Sequence, residues 1–350
     1  MANEALVIGG VEVKKGTFNT INIPLPKLYN TPTNLHLNVI RGRKDGPIVF
    51  ISAALHGDEL NGIEIIRRLK KLNLLKKIRG TLILVPAVNV YGMMNLSRYL
   101  PDRRDLNRSF PGSSKGSLAG RIAKIFFDEV VLKCSLGIDL HTGSIHKTNL
   151  PQIRTNLDNE YTAKLAKAFE APVVLHSALL DGSMRAEAQQ NGVPILLYEA
   201  GEALRFDESS IRIGVKGIIN VLRANGNLPK VTKKETKKKT PIVTRTSKWI
   251  RSSHSGILRT VKKLGDIVEN DDVLAYIDDP LEDVSHEIKA PFNGVVIGKS
   301  QIPLAQEGDA IFHIANITNL NIAEDKIEYF SEDAIQQSEF DELHNEEIIE

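Results

Sequence analysis

The stretch GPIVFISAALHGDELNGIEIIRRLKKLNLL, residues 46–75, decides how the rest of the chain is read. Its opening, GPIVFISAAL (46–55), is an apolar run bounded by glycine, the pattern of a strand buried on both faces. Its close, LNGIEIIRRLKKLNLL (60–75), sets Ile63, Ile66 and Leu69 at helical spacing, so a helix follows the strand almost at once. Outward from it the same alternation recurs. Apolar strands are predicted at 81–90, 135–140, 172–178 and 193–201, and helices at 118–131, 159–171, 184–192 and 209–226. Strands and helices in alternation predict an α/β fold with a mostly parallel mixed sheet and helices on both faces. Residues 1–46 read as short strands with turns.

The pattern breaks at PKVTKKETKKKTP (229–241), which carries six lysines and little to anchor it. It reads as a solvated linker, and without aromatic residues among its lysines it does not read as a nucleic-acid patch. Beyond it, 249–279 and 288–317 show short alternating strands punctuated by Gly and Asn-Asp. KLGDIVENDDVLAYI and PLAQEGDAIFHIA look like two halves of one small all-β unit. The expected organisation is an α/β domain over 1–228, the linker over 229–241, a β domain over 242–322 and an acidic tail over 323–350.

The 350 residues are 42% hydrophobic and 25% charged, with a formal net charge of +2, so nothing in the charge calls for nucleic acid. The first residues lack a basic segment followed by an apolar run, and no apolar run reaches the roughly 18 residues of a membrane span. The single cysteine, Cys134, forms no internal disulfide, and its apolar surroundings read as a buried, inert thiol. Together these give a cytoplasmic expectation.

The chemistry concentrates where strands end. His56 and Glu59, three apart between the first strand and its helix, can aim at one point. His141, in IDLHTGS (138–144), follows another buried strand. Two imidazoles and a carboxylate make the three-ligand set of a catalytic zinc site with one position open. Open α/β sheets bind small molecules at the carboxyl ends of their strands. His56 alone would read as a polar loop histidine; the pairing with DLHTG changes that. His146 is the weaker rival for the third ligand, and His176 reads as structural. In RYLPDRRDLNRSFPG (98–112), Asn107 and Arg108 read as a clamp for a substrate carboxylate, which a planar guanidinium grips in a fork. Glu199 closes an apolar strand, where a carboxylate needs a reason; activating a metal-bound water and protonating a leaving amine would supply one. Glu202, past Gly201, is the alternative and is expected to be exposed.

HGDE (56–59), DLNRSFPG (105–112), DLHTG (139–143) and YEAGE (198–202), in this order, resemble the succinylglutamate desuccinylase/aspartoacylase family, itself related to zinc carboxypeptidases of the carboxypeptidase A type. The resemblance covers roughly 45–225. It implies that His56, Glu59 and His141 hold one zinc ion and that Asp105 orients the first histidine. It implies that Asn107 and Arg108 grip the substrate's carboxylate and that Glu199 is the general acid and base. It also implies an arginine that polarises the scissile carbonyl: Arg98 fits best, with Arg103 and Arg104 competing.

Residues 242–320 look like a barrel-sandwich hybrid of the biotinyl/lipoyl type. The position where a carrier would present its lysine, eleven before Gly294, is Asp283, so no biotin or lipoate is expected. The implied reaction is a zinc-dependent deacylation of a small N-acyl amino acid, with no nucleic acid or membrane as partner and homo-oligomerisation left open by the sequence. A metallocarboxypeptidase acting on short peptides is the rival with the same chemistry. A non-catalytic binding or scaffold protein is the rival from another class.

Overall fold

The computed structural model describes residues 5–230 and 240–317. Most of the lysine-rich linker, the last residues of the expected β domain and the acidic tail lie outside them. A 13-stranded mixed sheet dominates. Its centre is four parallel neighbours, Ile195–Glu202, Leu136–Gly143, Lys44–Ala53 and Arg79–Val85. Here the apolar runs of the sequence lie, buried because helices cover both faces. Helices Asn61–Lys71, Glu160–Phe169 and Glu208–Ala224 pack on one face around Ile65, Leu69, Phe169, Tyr198 and Ile218. Helices Leu118–Glu129 and Met184–Gln190 pack on the other, where Phe126 meets Phe50 edge-on with ring centroids 6.0 Å apart. Burial of side chains this large stabilises by about 1.5–3 kcal/mol each.

Antiparallel strands extend the sheet on both sides. Asn34–Arg41 and Thr17–Pro24 continue beyond Arg79–Val85; they are longer than the short N-terminal strands expected from the sequence. Lys147–Thr155 continues beyond Ile195–Glu202. The sequence reading had no strand there. KTNLPQIRT alternates poorly because Gln152 and Arg154 stand on the face that builds the site. Leu136–Gly143 also runs past its expected end at 140, so His141 sits within the strand.

The sheet then runs into the C-terminal part of the chain. Gly294–Ser300 pairs with Lys147–Thr155, then Ala310–Asn316 and Ser247–Arg251 follow, while Ile242–Thr244 pairs in parallel with Val173–His176. A four-stranded sheet built around Gly256–Thr260, Val273–Asp278 and Ser285–Lys289 faces these strands across a core of Leu258, Leu274, Ile277, Phe312 and Ile314. Asp283 stands in the turn between Val273–Asp278 and Ser285–Lys289, with φ 49°.

Candidate metal centre

The first ligand loop is fixed by close packing. A Cβ on Gly57 would collide with the backbone of Gly92, and one on Gly62 would meet the Cβ atoms of Ala53 and Leu140. These two glycines let the HGDE turn and its helix sit hard against the strand ends. Ala54, just before the turn, adopts a left-handed φ of 47°, and its carbonyl accepts a hydrogen bond from Asn89 N. The strain of that conformation is held by fully buried surroundings.

The structure brings together the three predicted ligands. His56, Glu59 and His141 are all buried, and their donor atoms lie within 4.8 Å of one another. Both Nδ1 atoms face Glu59: His56 Nδ1 is 2.8 Å from Oε1 and His141 Nδ1 is 2.8 Å from Oε2. Each Nε2 faces an aspartate, His56 with Asp105 Oδ1 at 3.1 Å and His141 with Asp139 Oδ2 at 2.7 Å. Asp139 is in turn held by the Ser52 hydroxyl at 2.7 Å. This is how metal-binding imidazoles are built: one nitrogen toward the ion, the other tied to a carboxylate that fixes tautomer and angle. Two nitrogens and a carboxylate oxygen within 4.8 Å of one another are a donor set that suits zinc.

The electrostatics agree. Burial alone would pull His56 and His141 down. It is outweighed, for His56, by Glu59 and its hydrogen bond to Asp105, and for His141 by Asp139 and Glu59, so both lie above the ordinary histidine value. Burial opposes the charge on Glu59, yet the two imidazoles hold its carboxyl well below the usual range.

Around this cluster is a compact cavity of about 170 Å³. Glu199 lines it, one strand over from His141 in register, and accepts a hydrogen bond from Asn149 Nδ2 at 2.8 Å. Arg98 also lines it and bridges Glu59 Oε1 at 3.3 Å and Asp105 Oδ2 at 3.1 Å, whereas Arg103 and Arg104 are exposed outside the lining. Asn107 and Arg108 are not among the lining residues. Asn107 Oδ1 accepts from Met184 N, and Arg108, exposed, donates to the Asn107 carbonyl. Glu202 is not exposed as expected: its carboxylate is mostly covered and accepts from His146 N at 3.2 Å. His146 is exposed at φ 62°, away from the cluster, and His176 accepts from Leu157 N, a structural role. Burial pushes the Cys134 thiol up, as an inert core cysteine requires.

Several residues of the site were not anticipated. Asp139 carried a signal: it stands two before His141, and residues two apart on a strand share a face. Asn149, Arg154 and Trp249 line the cavity with no such signal in the sequence. Trp249 comes from the C-terminal strands, so these wall the cavity directly.

A buried two-histidine, one-glutamate cluster at strand ends, with a second glutamate lining the same cavity, is a candidate metal site. Residues 45–225 match the succinylglutamate desuccinylase/aspartoacylase catalytic domain, and the chain belongs to that family. It is 27% identical over 289 residues to the N-alpha-acetyl-L-2,4-diaminobutyric acid deacetylase of Halomonas elongata, covering 79% of this chain and 84% of that protein. It resembles in fold the product-bound ectoine utilization protein EutE (DoeB) of Ruegeria pomeroyi, with TM-score 0.78 and 24% identity over 88% of this chain and 98% of the other. An aspartoacylase family protein of Mesorhizobium loti matches with TM-score 0.74 and 25% identity, over 86% of this chain and 95% of the other.

Proposed function

We propose that the chain is a zinc-dependent amidohydrolase that removes the acyl group from a small N-acyl amino acid or related compound. The observation that carries the reading is the set of three buried donors within 4.8 Å, with Glu199 beside it in one cavity. The deacetylase relative from Halomonas elongata and the family membership support the reaction class. A cavity of about 170 Å³ suits a small substrate better than an extended peptide, which weighs against the carboxypeptidase alternative. A scaffold would gain nothing from burying three ligand side chains together.

His56, Glu59 and His141 would hold the zinc, which when bound supplies a Lewis acid and makes a coordinated water acidic near neutral pH. Asp105 and Asp139 fix the imidazoles that hold it. Glu199 takes the proton of the attacking water as its oxygen bonds to the carbonyl carbon. It delivers that proton to the nitrogen as the C–N bond breaks, leaving a carboxylic acid and an amine, and the acid's remaining proton passes on to give carboxylate and ammonium. Arg98 stabilises charge growing on the carbonyl oxygen. Asn107 and Arg108 would hold the substrate's carboxylate, a role that requires Arg108 to leave the Asn107 carbonyl to which it donates. With Asp283 at the hairpin tip where a carrier would present a lysine, no biotin or lipoate is proposed, and the C-terminal strands serve to wall the cavity through Trp249.

Glu199→Gln tests the mechanism. Zinc content by metal analysis should stay near one per chain while kcat for amine release falls about 10²–10⁴-fold. A variant with near-normal kcat would remove Glu199 from the mechanism.

A further inference from the structure

The place of Glu199 on its strand does not by itself aim its carboxylate. A glutamate turns about three side-chain bonds, the last of them broadly, while a general base must keep an oxygen within hydrogen-bond reach of the proton it takes. Among the described residues the Glu199 carboxylate receives one hydrogen bond, from Asn149 Nδ2 to Oε2 at 2.8 Å, which leaves Oε1 free of protein donors. An ionised carboxylate only accepts, so Asn149 turns its NH2 group to Glu199 and its amide oxygen away.

Asn149 reaches that position through an irregularity in its strand. Gln152 pairs with Glu199, and paired residues share a face of the sheet. Asn149 stands three before Gln152, so a regular strand would point it to the opposite face. It lines the cavity instead. The pairs Glu199↔Gln152 and Gly201↔Asn149 match a step of two along one strand with a step of three along the other, which makes a bulge at Leu150–Pro151. Proline, with no N–H for a ladder, is accommodated at such a point. On its other side Asn149 pairs with Gly298 of the C-terminal part. A Cβ on Gly298 would stand 2.9 Å from Asn149 Oδ1, 3.2 Å from His313 Cβ and 3.5 Å from the Trp249 ring. The amide oxygen therefore occupies space that a side chain at 298 would take. The corner is closed by Trp249 and His313, cross-strand partners whose rings stack with centroids 4.7 Å apart.

We infer that Asn149 is a positioning residue for Glu199: the bulge aims it, the bare backbone at Gly298 leaves room for its oxygen, and its NH2 group holds the carboxylate in one orientation beside the metal ligands. The inference rests on the reading of Glu199 as the general base. It gives the C-terminal strands a part in the chemistry beyond walling the cavity, because the space that fixes the Asn149 amide is built on them. Glu199 lies one strand over from His141 in register, so a small rotation of its carboxylate changes its approach to the attacking water.

Kinetics of the zinc-loaded full chain separate positioning from packing, taken on the best substrate from a panel of N-acetyl, N-succinyl and N-formyl derivatives of alanine and glutamate. Asn149→Leu keeps the volume and removes the donor. It should lower kcat about 10- to 100-fold, with KM and zinc content near wild type. Asn149→Ala should fall by the same factor, and it decides the matter if Asn149→Leu fails to fold. An unchanged kcat overturns the inference. In Glu199→Gln, whose residual turnover no longer uses that carboxylate as base, removing the Asn149 donor should lower kcat by less than about two-fold more. The full loss in both backgrounds would make Asn149 merely structural and overturn the inference. Gly298→Ala should also lower kcat, by pushing the amide oxygen aside. Added to Asn149→Ala, where that oxygen is gone, it should change nothing further; additive losses overturn the link to the C-terminal strands.

A second readout needs no turnover. Crystal structures of the zinc-loaded proteins should show Glu199 in a single orientation on Asn149 in wild type, and rotated or spread over several orientations in Asn149→Ala. The same single orientation in both overturns the inference. A wild type that turns over none of the panel while passing this comparison would sink the deacylase reading and leave the hold of Asn149 on Glu199 standing.

Discussion

Asp139 is the residue on which the metal centre leans most heavily from behind. It does not line the cavity, yet it ties down His141 Nε2 and is itself tied by Ser52. Replacing it should loosen the imidazole's aim without removing a ligand. Asp139→Asn should weaken zinc binding about 10- to 100-fold, measured by competition with a chromophoric chelator. A variant that binds zinc as tightly as wild type would mean that the strand alone fixes the ring. At this scale the sequence was informative where spacing carried the chemistry: His56 and Glu59 on one turn, His141 on a strand end, Glu199 beside an apolar run. It was silent where partners meet only through the fold. Arg154 and Trp249 are far apart along the chain and share a wall only because two β regions join. The clamp residues stand apart from the rest, since Arg108 is exposed and donates to the Asn107 carbonyl while the cavity is lined by others.

Among the elements, the loop carrying HGDE is the most demanding. Its backbone runs so close to the helix Val90–Met94 that Gly57 has no room for a side chain. Gly57→Ala should therefore force the turn away from Gly92, with a loss of about 1–3 kcal/mol in denaturant unfolding and a further fall in zinc affinity as His56 and Glu59 shift together. Unchanged stability with unchanged zinc binding would show that the turn relaxes freely. The buried parallel strands were legible because both faces meet apolar helices, which leaves continuous hydrophobic runs: 46–55 predicted against Lys44–Ala53 found, and 193–201 against Ile195–Glu202. Lys147–Thr155 was not, for the opposite reason. One of its faces is given over to polar site residues, so function erases the pattern that reveals a strand.

For the molecule as a whole, the metal cluster couples stability to pH with a sign that zinc should reverse. In metal-free protein the folded-state values of His56 and His141 are raised, so their protonated forms stabilise the fold. That contribution is fully present below the ordinary value of 6.5 and is lost as pH rises through the raised folded values. Chelated protein should thus lose thermal stability as pH climbs from about 6.5. Zinc-loaded protein should behave oppositely, because protons compete with the ion for Nδ1 and stability falls as pH drops. Melting curves with and without chelator across pH 5.5–9 check this; parallel profiles would argue that the imidazoles do not hold the ion.

The ladder joining Lys147–Thr155 to Gly294–Ser300, and Val173–His176 to Ile242–Thr244, has one more consequence. A chain cut near residue 240 would lose more than a wall of its cavity. It would bare two rows of unpaired amides beside an apolar interior, the kind of raw sheet margin that recruits other chains. The shortened protein would be prone to stick to itself, so the part of the sequence that carries the ligands cannot be expected to stand as a well-behaved enzyme without the part that does not.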